Sequence, residues 1–544
     1  MKYLYEMKLE IENETKDIKE LDKLLLTKLK IQKNELLSWK LTRKSLDARK
    51  KPTLYFLLQF EVELKEKISL ILAKKGILKP LKEKVMEKVT SLGEKLDKRP
   101  VIVGSGPSGL MCAFKLAEKG LKPIVIERGA PVEERVKAVN EFVRTGELNE
   151  KTNIAFGEGG AGTFSDGKLT TRSKSPLVKD VLEILIKGGA DEAITYINNP
   201  HLGTDGLREI VAKLREMIIN KGGTFIFNKA FKSFDFNDEN DSDAVIGEKS
   251  VKGILLDDGT YIETNMVILA IGHSAKDTIR YFSEVGIPLE AKPFSVGFRI
   301  EHKASLINMN QYGRDDDLTQ RLLGNSEYHL TYKGDRGVYS FCMCPGGIVV
   351  PSNSFNGEIV TNGMSYKNRA GKQSNAAIVA TVGIDDFKEG PLGGIEFQEE
   401  IERKAFDLSG AGFMALGQNA KDFVEGIGSE EIKVDFKPSY LPGIKLGNFR
   451  DVLPEDICEE LVKGLKDFDR KIPGFIAGGF LTGPETRTSS PVRILRDENA
   501  MILGYNKVYA IGEGAGYAGG IVSAGIDGLK LAYAILNKYN GVNN

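Results

Sequence analysis

Cysteine is scarce: Cys112, Cys342, Cys344 and Cys458 are the four in 544 residues, too few for the disulfide framework of a secreted scaffold. No apolar stretch approaches the roughly 20 residues of a membrane-spanning helix. The opening Met1-Lys2-Tyr3-Leu4-Tyr5-Glu6 lacks the apolar core of a secretory signal. A protein of the reducing cytoplasm, without membrane contact, is the expectation. A charge excess is also missing, since Lys+Arg and Asp+Glu each number 76, so no global field argues for nucleic acid or an anionic surface. Only four histidines occur, His201, His273, His302 and His329. No two stand at zinc-ligand spacing, and no metal site is expected. The acidic run 235–243 lacks the sixth-position glycine and closing glutamate of a calcium loop, and reads as a solvated hairpin loop.

What is present is ordinary globular composition, 41% hydrophobic and 28% charged, at a length that suits two or three domains. The neutral total conceals an asymmetry. The first hundred residues carry 25 Lys+Arg against 16 Asp+Glu, which leaves 51 against 60 for the rest. They also hold only Gly76 and Gly93 of the 59 glycines. A boundary near residues 93–100 follows. Ahead of it an alternating stretch from Tyr3 to Ile11, a helical pattern from Asp17 to Leu29 and a strand from Leu54 to Leu64 make a small α+β module. Its basic segment 43–52, read as a turn, is either a phosphate- or RNA-gripping element or a solvated hairpin tip.

At Val101-Ile102-Val103 the character changes to a buried strand, followed at once by Gly104-Ser105-Gly106-Pro107-Ser108-Gly109 and a helix to about Glu118. A second strand, Pro123 to Glu127, runs on into Arg128. In this βαβ unit Gly104 permits the tight turn, Gly106 lets backbone approach a pyrophosphate, and Gly109 lets helix and strand pack closely. The helix start, with Pro107 and Ser108, offers N–H groups and partial positive charge to a diphosphate. Glu127, 18 residues beyond Gly109, suits a ribose diol and disfavours a 2′-phosphate, so NADP is the less favoured occupant. A dinucleotide site is expected because strand, helix and acidic strand end all accompany the glycines.

Near the other end, residues 507–528 read as strand, glycine-rich turn and helix. Here the chain resembles the two-dinucleotide-fold flavoproteins of the glutathione-reductase superfamily. That resemblance implies FAD, with Gly512 and Glu513 on the ribityl or pyrophosphate and the Gly519-Gly520-Ile521 amides facing the isoalloxazine. A helix N-terminus there would stabilise negative charge on a reduced flavin. A hairpin at 251–264 followed by Met266 to Gly272 looks like that superfamily's returning Ala-Thr-Gly strand, with Ala270 and Gly272 in place and Ile271 for the threonine. The stretches 156–169, 339–347 and 485–493 together resemble a family of bacterial NAD(P)/FAD-dependent dehydrogenases over almost the whole chain. The implied fold is α/β. A Rossmann-like FAD-binding domain spans 96–290 and 480–544, an inserted mixed α+β substrate domain 291–479, and the small α+β module 1–95.

For chemistry, the loop with Gly159, Gly160, Gly162 and Gly167 brings Thr163, Ser165 and Lys168 to the flavin or pyrophosphate. Arg487 and Arg493, six apart among Ser489 and Ser490, either clamp a substrate carboxylate or pair with local acids such as Glu485. Arg299 is a further candidate. His201, on the turn 200–205, is the candidate proton donor, while His273 follows the 271–272 turn beside FAD. Cys342 and Cys344 are either a redox pair or core residues that strand alternation points to one face. A second strand-glycine-helix unit is absent, so any NAD(P)H binds transiently. The expected function is a FAD-dependent oxidoreductase passing hydride through flavin N5 to or from a small organic substrate. An RNA-acting flavoenzyme using the basic module, and a non-catalytic FAD-binding sensor, stay open. Sequence leaves substrate and oligomeric state undetermined.

Overall fold

Alternation decides the N-terminal unit. In Lys2–Glu10 every second side chain is apolar, and Tyr3, Tyr5 and Met7 are buried. This strand pairs antiparallel with Thr53–Leu64, which pairs with Leu36–Lys50, while Lys79–Pro80 closes the other edge. One sheet face is covered by Leu25 and Leu29 of the helix Ile18–Leu29 and by Leu72 of Glu66–Lys74. The basic segment is not a turn through its length: the strand continues to Lys50 and only Lys51-Pro52 reverse the chain. β-branched and aromatic partners on Thr53–Leu64 carry the register through a charge-rich sequence that alone reads as loop. The computed structural model describes residues 2–13, 18–81, 93–237, 248–410 and 412–543. The compact N-terminal unit also takes in 191–200 and 308–326, which lie far along the sequence in stretches read as FAD-binding and substrate domains.

The larger unit is built on a parallel sheet in the order Val508–Ala510, Val267–Leu269, Val101–Val103, Ile124–Ile126, Thr224–Ile226. Its central strands are short continuous apolar runs because both faces are covered. Val101 and Val103 point into a cluster with Phe231, Phe234, Val251 and Ile254 of a β-meander. Ile102, on the opposite side, is equally buried. There the helices Pro107–Glu118, Leu177–Lys187, Gly203–Ile219 and Ile521–Leu536 pack on one another. Of the acidic run, Asp235 and Phe236 complete the strand Phe231–Phe236, Asn237 follows it, and 238–243 fall outside the described residues.

A second sheet of seven strands runs Thr331–Lys333, Gly337–Cys344, Gln373–Val382, Phe294–Lys303, Phe480–Glu485, Ala415–Asn419, Ile444–Leu446. It is antiparallel except at the last pair. The helix Glu455–Lys471 packs on it through Ile457, Leu461, Leu465 and Phe468. Phe480–Glu485 thus belongs to this sheet. The chain returns to the parallel sheet only after Val492–Ile494, which pairs with Leu289–Ala291. Among the described residues no helix is long and apolar enough to cross a membrane.

Candidate functional site

The strand Val101–Val103 ends at Gly104, whose φ is +105° and where a Cβ would run into the Ala270 carbonyl; glycine alone fits such a turn. The helix Pro107–Glu118 begins at once, with Gly106 at its cap, no side-chain cap and Pro107 in its first turn. Its first-turn N–H groups are therefore left for an external acceptor. Ile521–Leu536 likewise begins at Gly520 without a side-chain cap. Both helix starts border one cavity of about 460 Å³, within the size range of cofactor sites.

That cavity is lined by Gly104, Gly106, Pro107, Ser108, Glu127, Arg128, Gly160, Lys168, Ala270, Gly272, Glu513, Gly519, Gly520 and Ile521, all expected around a dinucleotide. Gly109, Gly159, Thr163 and Gly512 do not reach it. Thr163 is buried and donates to the Glu158 carbonyl at 3.3 Å, and with Gly159 it borders a separate small apolar void. Its hydroxyl therefore shapes the loop and does not face the cofactor. Gly512 instead donates its N–H to Asp527 at 2.7 Å. Asp527 also receives Arg496 twice at 2.9 Å, tying the last strand to the closing helix.

Glu127 sits where the second strand ends, buried, with both oxygens engaged. Oε2 accepts from the Ser105 N–H (3.0 Å) and hydroxyl (2.7 Å), and Oε1 from the N–H groups of Gly129 and Gly157 (3.1 Å each). A carboxylate offers about four acceptor positions. A further hydroxyl would reach it only by displacing the Ser105 hydroxyl, the one donor able to rotate away. Glu513 lies 3.4 Å from His273 Nδ1, and both border the cavity.

The glycine-rich loop owes its shape to a residue the sequence reading passed over. Arg135 is fully buried and donates to the carbonyls of Asn153, Ile154, Gly157, Glu158 and Gly160 at 2.7–3.2 Å. A Cβ on Gly157 would stand 2.5 Å from Arg135 Cδ. Burial pulls the guanidinium down to about 9. A signal existed: Val132, Arg135, Val139 and Phe142 form the buried stripe of the helix Val132–Thr145, with a cation where an apolar residue belongs.

The candidates for substrate chemistry are not brought together. His201 is off the cavity, its Nε2 2.9 Å from the Lys367 carbonyl, and burial, then Arg369, lower its pKa. It is placed to hold a turn and not to protonate a substrate. Arg493 is also away from the cavity, 3.8 Å from Glu290 and over the Tyr517 ring. Arg487 does line the cavity, but its guanidinium is bound to Glu402 at 2.8 and 3.0 Å, Glu358 at 3.2 Å and Ser354 at 2.6 Å. Lys276 joins this cluster through Glu358 at 2.7 Å and Glu399 at 3.1 Å. Burial pushes Glu402 up, yet Arg487 and Lys276 outweigh it and hold its pKa below the usual range. Glu358 is raised by burial and then by Glu402. Arg487 therefore pairs with acids, though not with Glu485. That residue accepts from Arg299 at 2.6 and 2.8 Å. Arg299 spends its remaining donors on the Cys342 carbonyl, Asn375 and Asn362. The clamp expectation fails because Arg487 is taken up by Glu402 of the helix Gly393–Leu408 and Glu358 of the 351–361 connection, while Arg493 lies off the cavity beside Glu290.

Two uncapped helix starts and the cationic side chains of Lys168 and Arg128 offer donors, and the carboxylate at the second strand end an acceptor, in an arrangement that fits a dinucleotide diphosphate and its ribose. Residues 293–488 match a family described as "FAD-dependent protein, C-terminal domain-like", and residues 102–132 an "NAD(P)-binding Rossmann-like domain". Residues 1–63 match a domain of unknown function. The fold and site define a Rossmann-type FAD-binding flavoprotein of the oxidoreductase type, with FAD as its cofactor. A protein of Clostridium beijerinckii, named "Uncharacterized protein", is 40% identical over 532 residues, 96% of this chain and 97% of its own. The chain belongs to the family of that clostridial protein. Among solved structures, a halogenase in complex with FAD is 11% identical over 82% of this chain and 70% of its own (TM-score 0.37). The glycine oxidase of Geobacillus kaustophilus is 12% identical over 82% and 96% (TM-score 0.35). At these values neither bears on chemistry or substrate.

Proposed function

We propose that this protein is a FAD-dependent oxidoreductase acting on a small organic substrate, with NADH or NADPH as a transient partner. The observation that carries the reading is one shared cavity: the fingerprint turn, the glycine-rich loop, the closing helix start and Tyr339–Met343 of the antiparallel sheet all wall it. FAD bound there supplies hydride transfer through N5. The first turn of Pro107–Glu118 holds the diphosphate, Glu127 the adenosine ribose, and Glu513 with His273 the ribityl chain. The uncapped start of Ile521–Leu536 stabilises negative charge on the cofactor's ring system. Lys168, anchored on the Met343 carbonyl, and His329 and Tyr339 supply polar groups on the wall opposite the parallel sheet. The Tyr339 hydroxyl is held by Ser295 at 2.8 Å.

Anaerobic mixing of the FAD-loaded protein with NADH and NADPH tests this reading. Bleaching of the flavin within seconds, and its return on adding an oxidised acceptor, supports it. Flavin that neither nucleotide reduces, nor any small-molecule donor in a screen, overturns it.

A further inference from the structure

Where the antiparallel sheet meets the cavity its ladder is broken. Phe341 pairs with Ala377 and Cys344 with Asn375, so three steps on one strand oppose two on its neighbour and one residue is bulged. Cys342 takes the strain, with a φ of +42°, a conformation rare outside glycine. The bulge removes the alternation that would have sent both thiols to one face. Cys342 is half-buried and borders the cavity, whereas Cys344 is fully buried behind it with its Sγ 3.4 Å from the Cys342 carbonyl. Arg299 holds that same carbonyl at 2.8 Å. Gly363 makes room: a Cβ there would stand 2.5 Å from Arg299 and 2.9 Å from Cys344 Sγ. An extended pair two residues apart spans about 6.6 Å between Cα atoms, the upper edge of the 4.4–6.8 Å that a disulfide accepts. A bulge shortens that span.

We infer that Cys342 and Cys344 form a dithiol–disulfide couple that exchanges electrons with FAD in this cavity, Cys342 being the attacking thiol at the cavity wall and Cys344 the buried resolving one. The inference rests on the proposed oxidoreductase function and adds a redox centre made by the chain itself. The surroundings favour a thiolate at Cys342. Its neighbour Cys344, with Arg299 and Lys168, pulls its pKa well below the usual thiol range, against burial. Cys344 is held protonated. The step balances. The Cys342 thiolate and Cys344 thiol form one S–S bond, the S–H bond of Cys344 breaks, and two electrons and one proton pass to oxidised FAD to give its reduced anion. In reverse, the reduced anion returns them. A small disulfide entering the cavity exchanges with Cys342 through a mixed disulfide that Cys344 resolves.

Thiol counting on the full-length FAD-loaded protein tests this without an activity assay. After anaerobic incubation with oxidised glutathione, acid quenching and alkylation, the four thiols should fall to two, with a peptide linking Cys342 to Cys344. C344A should stall as a glutathione adduct on Cys342, and C342S should keep every remaining thiol. Wild-type protein that keeps four thiols, or that stalls at the adduct as C344A does, overturns the couple. Exchange with FAD is read from a long-wavelength absorption of the flavin after reduction by one equivalent of a dithiol. It should be present in wild type and lost in C342S, and its absence from wild type overturns the exchange. Bleaching by NADH or NADPH is independent of both readouts, so failure of the oxidoreductase reading and failure of the couple are told apart.

Discussion

Gly512 rests on Ser108. A Cβ on Gly512, whose φ is +79°, would come within 2.9 Å of the Ser108 Cβ, so the turn after the last parallel strand and the first turn of the fingerprint helix meet through a missing side chain. The same turn is fixed from behind by Asp527 and Arg496. Two segments at opposite ends of the larger unit thereby become the two walls of one cofactor cavity.

Arg135 should be indispensable to that cavity. Arg135→Met keeps the apolar volume but leaves the buried Asn153 and Ile154 carbonyls without their donor, while those of Gly157, Glu158 and Gly160 keep Gly160 N–H, the Thr163 hydroxyl and Thr163 N–H. Each carbonyl left unpaired where water cannot reach costs about 1–3 kcal/mol. A loss of at least about 2 kcal/mol in urea unfolding, with release of FAD, is expected. A fall under 1 kcal/mol with FAD retained would contradict the role given to this residue.

Arg487 separates a substrate clamp from a structural ion cluster. As a cluster member its replacement by Met takes from buried Glu402 its closest cation, leaving Lys276 at 3.6 Å, while Glu358 keeps Lys276 at 2.7 Å, a change worth about 3–5 kcal/mol. The midpoint of thermal unfolding should drop sharply. A clamp would instead raise KM for a carboxylated substrate and leave the midpoint in place.

His201→Ala should cost about 1 kcal/mol, the worth of its bond to the Lys367 carbonyl, with FAD content and the rate of flavin reduction within twofold of wild type. Stopped-flow reduction checks this. A tenfold slower rate would return His201 to the chemistry.

How much of this was legible in the sequence depended on the range of the signal. The fingerprint βαβ unit and the 507–528 element are local patterns in which each residue type has its reason within a few positions, and both fold as read. Cys342 was visible but its direction was not, because a bulge is decided by the neighbouring strand. Whether Arg487 and Arg299 were paired, and with which acids, was beyond a local reading because their carboxylate partners come from Gly393–Leu408, the 351–361 connection and the strand pairing of Phe294–Lys303 with Phe480–Glu485. The basic segment 43–50 became strand because its partner carries the apolar face. Arg135 alone was within reach, as a charge on an apolar helical stripe.

Glu301 gives a pH signature. Burial raises its pKa to about 7, although Ser439 donates to it through both N–H and hydroxyl. In the unfolded chain a glutamate titrates near 4.3, so between about pH 4.5 and 7 the native state holds a proton the unfolded state has lost. Stability from this group is full below that window and falls as pH rises through 7, by up to about 3 kcal/mol. Glu301→Gln should flatten its share and gain on wild type most at pH 8. Equal differences between the two proteins at pH 5 and pH 8 in urea titrations would contradict it.

The most direct test is FAD binding itself, measured by fluorescence titration of FAD-stripped full-length protein alongside Gly512→Val and, as a control, Gly412→Ala, whose Cβ would meet nothing within 4 Å. One FAD per chain for wild type and the control, and a loss of at least tenfold in affinity for Gly512→Val with its helical circular dichroism retained, is the expected result. A wild-type chain that stays folded and takes up no FAD, or a Gly512→Val chain that binds it as wild type does, would contradict the account.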